Sequence, residues 1–242
     1  MGTASRTVGL LGAIFEYALR HRMRPDNPTR GIIRPADGRR ERRLTDDEYM
    51  ALGKALRKAD DAKMWPAAIA AVRFLTLTGW RSGEVVALRR AEVDEVRRTA
   101  LLADSKTGRS MRPLSQAACR LLKASQIDGS ERVFPGIRGR DRQLDIAQFW
   151  KRIAKLGAVP SDVTPHTLRH TFASVAADLG YSEPTIATLI GHKGRTITAR
   201  YIHSADAVLL AAADAVARRI LELMGESKTG VLITLGTRRR RA

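Results

Sequence analysis

Cysteine occurs once in the 242 residues, at Cys119, which rules out an intramolecular disulfide and any cysteine-rich zinc module and fits a reducing, cytoplasmic setting. Apolar runs are short. None approaches the roughly 18 to 20 residues needed to span a bilayer, so no membrane partner is expected. The apolar stretch Val8 to Phe15 is broken by Glu16, and no small-residue cleavage site follows it. Arg6 stands where an N-myristoylation signal needs Ser or Thr. There is no GxxxxGK[ST] loop to cradle a nucleotide triphosphate, no GxGxxG after a strand to bind a dinucleotide, and no internal repeat at solenoid or propeller periods. Acidic residues are scarce, 25 Asp and Glu against 43 Lys and Arg, and the segments that carry the candidate chemistry below hold no DxD or DxE cluster of the kind a magnesium-dependent nuclease needs.

What is present is positive charge on a foldable chain. The formal net charge of +18 points to a polyanionic partner, double-stranded DNA first. A hydrophobic content of 44% is enough for a core and excludes a disordered basic tail.

Along the chain, Leu10, Leu11, Ile14, Phe15, Ala18 and Leu19 recur at helical spacing, giving an amphipathic helix over Val8 to Arg22 with no partner helix nearby. The Pro-, Gly- and Arg-rich stretch from Pro25 to Arg43 reads as a linker. Thr45 with Glu48 is a capping box, which starts a helix running to about Ala59. A core helix follows from about Met64 to Thr78, ended by Gly79, and a short helix restarts over Ser82 to Arg89. Between Glu92 and Leu114 the apolar residues Val93, Val96, Leu101, Leu102, Met111 and Leu114 sit in short runs around the turn SKTGR, the pattern of a small antiparallel sheet. From Ser115 to Met224 the chain reads as helices, with caps at Ser115, Ser182 and Ser204 and with Pro165 in a first turn. The expected fold is therefore mainly α with one small antiparallel β-sheet, an α+β domain. The tail from Gly225, ending in RRRR, is expected to be mobile or to dock on a partner.

Chemistry concentrates in three segments, TGWRSGEVVAL, TPHTLRHTFAS and GHKGRTITARYIH. Arg81 lies at the joint between two apolar helices, a poor place for a merely solubilising charge. Arg169 lies three residues after His166, so one helix face presents both. Guanidinium groups bind phosphate oxygens bidentately and stay charged at any usable pH. Lys106, in the turn, is a candidate general acid or phosphate contact; His192 follows Gly191; Tyr201 comes nine residues later. His166 and His170 have the spacing of a zinc helix, but Thr167 occupies the place of the HExxH base, and no metal site is read there.

Singly, a turn lysine is usually exposed, a lone histidine structural and a lone tyrosine core or rim. Together they are specific. A tyrosine hydroxyl becomes a nucleophile where cations favour its phenolate or a base takes its proton. The chemistry that fits is phosphoryl transfer through a tyrosyl-phosphate without a metal.

These motifs resemble the catalytic domain of the tyrosine recombinases, the phage-integrase family. Thr78, Gly79, Arg81 and Glu84 match its TGxRxxE turn, and Lys106 its hairpin lysine. His166, Leu168, Arg169 and His170 match HxLRH; Ile190, Gly191 and His192 are similar to LGH; Thr198, Tyr201 and His203 match TxxRYxH. The resemblance covers about residues 42 to 210. It implies a DNA breaking and rejoining domain acting as a site-specific recombinase, with Tyr201 forming a 3′-phosphotyrosine and releasing a 5′-hydroxyl. Arg81, Arg169, His166 and His192 would hold the phosphate and Lys106 would protonate the leaving oxygen. It also implies no cofactor or metal and a homo-tetramer on paired DNA sites. Glu84 and His170 are expected to support the site, Glu84 fixing the helix after Arg81 and His170 by packing.

The domain expectation is a remnant of an N-terminal core-binding domain with its linker over residues 1–36, a catalytic domain over 37–224, and a basic tail over 225–242. Two other readings share part of this set. One is a type IB topoisomerase-like relaxing enzyme, and the other is a catalytically idle DNA-binding module.

Overall fold

A computed structural model describes residues 2–33, 42–102, 110–127, 129–192 and 207–226. The chain divides into two compact units between residues 41 and 42.

The first unit is built on helix α1, Gly2–Arg20. It begins six residues before the point where the apolar period starts, because the small and polar residues ahead of Val8 carry no periodic signal yet tolerate helix. The helix is not left entirely alone: Asn27 Nδ2 donates to the Gly12 carbonyl at 3.2 Å and to Glu16 Oε2 at 3.3 Å, and Arg30 pairs with Glu16 at 3.2 Å. The start of the expected linker thus folds back on the helix through polar contacts that hydrophobic periodicity does not register.

The second unit opens with α2, Asp46–Asp61, whose N-cap is Thr45 in a complete capping box with Glu48. Helix α3, Pro66–Thr78, starts with proline at its first turn and is buried along almost its whole length. A helix apolar on most sides belongs in the centre of a domain, and α3 packs against α2 and against four later elements: α5, Gln116–Ala124; α6, Ile146–Leu156; α7, Pro165–Asp178; and α9, Ala207–Leu223. The short α4, Ser82–Ala87, follows α3 directly, and α8, Glu183–Ile190, follows α7.

The strands β1 (Val93–Asp94), β2 (Thr99–Leu102) and β3 (Ser110–Pro113) form an antiparallel sheet in that order. Its register places Ala100 opposite both Val93 and Arg112. The expected sheet is there, but its faces differ from the apolar pattern. Val96 is 94% exposed in the connecting turn and Met111 is 42% exposed, whereas Arg112 is wholly buried. Alternation puts Arg112 on the same face as Leu114, and the small Ala100 across the ladder leaves room for a guanidinium.

A second sheet interrupts the stretch expected to be all helix. Pro135–Gly136 (β4) pairs with Gly139–Gln143 (β5), and Trp65 Nε1 donates to the Pro135 carbonyl at 2.8 Å. The strand GRDRQ has no apolar residue, so no two-residue period marks it. Ser115 caps α5 by accepting from the Ala118 amide, as expected. Ser182 occupies the N-cap position of α8, but its hydroxyl bonds Thr185 and no backbone amide. Ser204 lies outside the described residues.

The start of the presumed tail belongs to the folded body. Both Glu226 oxygens accept from Arg73 Nη1, at 2.7 and 2.8 Å, and Arg57 donates to the Met224 carbonyl at 3.3 Å. A buried arginine in an otherwise apolar helix needs a carboxylate, and the chain brings one back from 153 residues away. Residues 227–242 lie outside the described residues. Among the described residues no helix is long and apolar enough to cross a membrane.

Candidate functional site: an arginine cluster at three helix ends

Helix α3 stops at Gly79, which takes a left-handed conformation with φ of 63° and donates to the Leu75 carbonyl. A side chain there would press on Phe172 as well as strain the backbone. The reversal buries Trp80, whose ring meets Phe74 edge-on at 5.2 Å, and sets Arg81 at the N-cap of α4. Glu84, in the first turn of α4, accepts from the Arg81 amide at 3.0 Å and from Arg81 Nη1 at 2.8 Å. The expected role of Glu84 in holding the turn after Arg81 is therefore seen directly.

Helix α7 carries the second arginine. Arg169 is buried, and its Nη1 donates to the carbonyls of Gly79 at 3.0 Å and Ile190 at 2.6 Å. Both acceptors lie at helix C-termini, where unpaired carbonyls and the helix dipole favour a cation. Helix α8 ends at Gly191, with φ of 69°, and this turn leaves two carbonyls for guanidinium groups. Ile190 serves Arg169 and Arg112, and Gly191 serves Arg81 at 3.4 Å. Arg81 and Arg169, far apart in sequence, are thus tied to adjacent carbonyls of one turn.

Arg112 is the member that sequence reasoning missed. Its Nη1 donates to the Ile190 carbonyl at 3.0 Å, its Nη2 to Glu84 Oε1 at 3.0 Å and its Nε to Ser110 Oγ at 2.9 Å, and its guanidinium lies 5.3 Å from the centre of a Trp80 ring. Strict alternation through SMRPL would have drawn attention to it, since Arg112 shares parity with buried Leu114 and Met111 does not. Gly191 is glycine for this reason too: a methyl group at that position would collide with the Arg112 guanidinium.

Two guanidiniums thus pair with one carboxylate, and a third, Arg169, is held on neighbouring carbonyls. Burial alone would raise the Glu84 pKa, but the Arg112 charge and the hydrogen bonds from Arg81 and Arg112 outweigh it and hold the carboxyl below its ordinary value. Glu84 is ionised at neutral pH. Burial, then the like charge of Arg81, lowers Arg169 to about 10, so it too stays charged. Its Nη2 is buried with no hydrogen-bond partner among the described residues.

His166 and His192 stand within the field of this cluster. Partial desolvation, then the neighbouring positive groups, lowers both pKa values below the ordinary histidine range, with His170 and Arg169 acting on His166 and Arg169 and Arg81 acting on His192. Both imidazoles are neutral at pH 7. His170 packs against His166 from the outer side of α7. It is exposed, and its Nε2 lies 3.0 Å from His166 Nε2 with the rings edge to face. One ring must donate and the other accept, so this contact holds only while at least one of the two is neutral. The buried face of α7 is taken by Leu168, Arg169 and Phe172, which leaves positions 166 and 170 on the outer side.

Lys106 and Tyr201, with Thr198 and His203, lie outside the described residues. The structure therefore places Arg81, Arg169 and, within their field, His166 and His192 of the six candidates beside the expected support Glu84, and adds Arg112. Among the described residues no group of three His, Cys, Asp or Glu side chains is placed to hold a metal ion.

The model of the phage integrase family matches residues 42–207, more than half of the chain and all four described candidates. The chain belongs to the phage integrase family. Its curated relatives include the tyrosine recombinase XerD of Pseudomonas putida, 29% identical over an alignment of 227 positions that covers 86% of this chain and 72% of that protein. Among solved structures, a lambda integrase dimer bound to a COC′ core site superposes with a TM-score of 0.63 at 21% identity, over 81% of this chain and 74% of the other. A lambda integrase tetramer bound to a Holliday junction gives the same TM-score at 20% identity, over 81% and 60%. The protein is a site-specific recombinase of the tyrosine class, an enzyme that cleaves and rejoins DNA. The relaxing-enzyme alternative is not favoured by these relatives.

Proposed function

We propose that Arg81, Lys106, His166, Arg169, His192 and Tyr201 form the catalytic set, acting on double-stranded DNA in a homo-tetramer assembled on paired sites. The observation that carries this reading is the excess, among the described residues, of guanidinium over carboxylate at the turn after Ile190, with a buried donor of Arg169 that has no partner among them. A buried donor without a partner costs free energy on the order of 1 to 3 kcal/mol, and a phosphate oxygen is an acceptor that would satisfy it.

In this reaction the Tyr201 oxygen attacks the scissile phosphorus and loses its proton to a base. The bond to the 5′-oxygen breaks, and that oxygen takes a proton from Lys106. A 3′-phosphotyrosine and a free 5′-hydroxyl result. Attack by a 5′-hydroxyl of the partner duplex reverses the step and frees the tyrosine. Arg81 and Arg169 hold the non-bridging oxygens as negative charge builds on them, the point at which fixed positive charge lowers a barrier most. The neutral imidazoles of His166 and His192 donate hydrogen bonds to the phosphate and assist proton transfer. The ester stores the energy of the broken bond, so rejoining needs no external energy source.

Two features of the similar structures support the partners. The lambda integrase structures hold DNA, and one of them is a tetramer on a Holliday junction. The excess positive charge of this chain fits a salt-dependent grip on the duplex backbone. We further assign residues 1–36 to a core-binding region with its linker and the arginine-rich residues after Glu226 to a basic tail.

The test is a covalent adduct. The full chain, incubated with a pool of end-labelled nicked suicide duplexes of random sequence, is expected to retain label through denaturing electrophoresis. Tyr201→Phe is expected to remove it. Label that persists in the Tyr201→Phe protein would sink the assignment of the nucleophile.

A further inference from the structure

We propose that Arg112 is a positioning residue of the phosphate site, neutralising Glu84 from the buried side so that Arg81 and Arg169 act on the substrate with a net double positive charge. This rests on the reading of the arginine pair given above. Glu84 Oε1 is shared between Arg81 Nη1 at 2.8 Å and Arg112 Nη2 at 3.0 Å. If Arg81 were the sole partner of Glu84, the two would cancel, and only Arg169 would be left to attract an anion. With Arg112 the described cluster holds three guanidiniums and one carboxylate, 3 − 1 = +2. That is the charge that matches a phosphodiester as it becomes a doubly negative five-coordinate phosphorus.

Stability alone does not account for Arg112. It occupies an inward strand position opposite Ala100, against Trp80 and wholly out of water, where an apolar side chain would pack without a desolvation cost. Burial does lower its pKa, and Glu84 only partly offsets that. The same guanidinium holds the Ile190 carbonyl, the acceptor that also fixes Arg169. Arg112 therefore touches the groups that orient both phosphate-binding arginines and stays behind them itself: Arg81 keeps a partly exposed side chain and Arg112 has none.

The experiment titrates inorganic phosphate into the full chain at low ionic strength, followed by phosphorus NMR, with urea unfolding of each variant alongside. Arg169→Gln locates the binding event at this site. Arg112→Met is expected to weaken phosphate binding about tenfold through loss of one nearby charge, and Arg112→Lys to remain within about threefold of the parent. The double variant Arg112→Met with Glu84→Gln returns the count to +2 and is expected to recover to within about threefold. Glu84→Gln alone is expected to bind phosphate more tightly while unfolding at lower urea, a divergence that a purely structural ion pair would not produce.

An Arg112→Met protein that binds phosphate like the parent overturns the proposal, as does a double variant no better than Arg112→Met. If Arg112→Met does not fold, the comparison passes to Glu84→Gln against the double variant, where equal affinities overturn it. Phosphate binding sensitive to Arg169→Gln but not to Arg112 removes this proposal alone. Binding indifferent to both removes the phosphate site itself.

Discussion

Two arginine clusters in this protein, each with a buried arginine, are built to opposite ends. At the far end of α9, Arg57 and Arg73 face Asp60 and Glu226, two guanidiniums for two carboxylates, with Arg73 bonding both oxygens of Glu226 and one of Asp60. That cluster is electrically closed. At the turn after Ile190, Arg81 and Arg112 share Glu84, Arg169 bonds helix-end carbonyls, and the remaining acceptors are the Ile190 and Gly191 carbonyls and Ser110 Oγ. Among the described residues that cluster is open by two charges. A closed cluster fastens one part of the chain to another, whereas an open one stays short of negative charge until an anion arrives. The difference separates structure from chemistry more sharply than burial does, because Arg73 and Arg169 are almost equally buried.

The comparison breaks first at Arg169. Arg169→Gln is expected to lower the rate of adduct formation by roughly a thousandfold, in the range seen when one donor to a developing oxyanion is removed. A fall of less than tenfold in a folded protein would make the open cluster structural like the other. Arg73→Met should do the reverse. It leaves buried Glu226 with only the distant Arg57, so stability in urea is expected to drop by about 3 kcal/mol while the adduct rate, measured well below the midpoint, stays within about threefold. A selective loss of adduct in that variant would mean that the closed cluster also serves the reaction.

Gly191→Ala sharpens the boundary between the two roles. The residue has φ of 69° and abuts Arg112, so an added methyl is expected to cost roughly 2 kcal/mol and to slow adduct formation together with it. The smallest expected effect is on pH. His166 and His192 have pKa values below the ordinary histidine range in the folded protein, so the unfolded chain binds more protons than the folded one as pH falls from about 7 toward 5. Their contribution to stability is present above the unfolded pKa and is lost as pH falls through the folded one. The urea midpoint is expected to decline over that interval, and Arg81→Gln, which relieves part of the repulsion on both rings, should flatten the decline. An unchanged slope would show that the cluster does not govern the two imidazoles.

Much of this arrangement was legible before any coordinates. Thr45 with Glu48 marked the start of α2, Gly79 marked the end of α3, and the unbroken apolar content of α3 placed it at the centre, because these are short-range effects carried by adjacent residues. The motifs around Arg81, His166, Arg169 and His192 pointed to one anion-binding site; the structure ties Arg81 and Arg169 to carbonyls at the ends of α3 and α8, with His166 and His192 within their field. The second sheet was not legible, since a strand such as GRDRQ forms by pairing with Pro135–Gly136 rather than by any pattern of its own. That His170 packs on His166 from the exposed side depended on which face of α7 the core took.

From residue types and spacing alone came the kind of chemistry: guanidiniums, imidazoles and a phenol with no clustered carboxylates, on a chain with an excess of 18 positive charges. Only the tertiary structure decided how those charges are balanced. Arg112 and Glu84 are 28 residues apart, and Arg73 and Glu226 are 153 apart. Which carboxylate neutralises which guanidinium is settled by long-range packing, because an ion pair depends on distance in space and not on position along the chain.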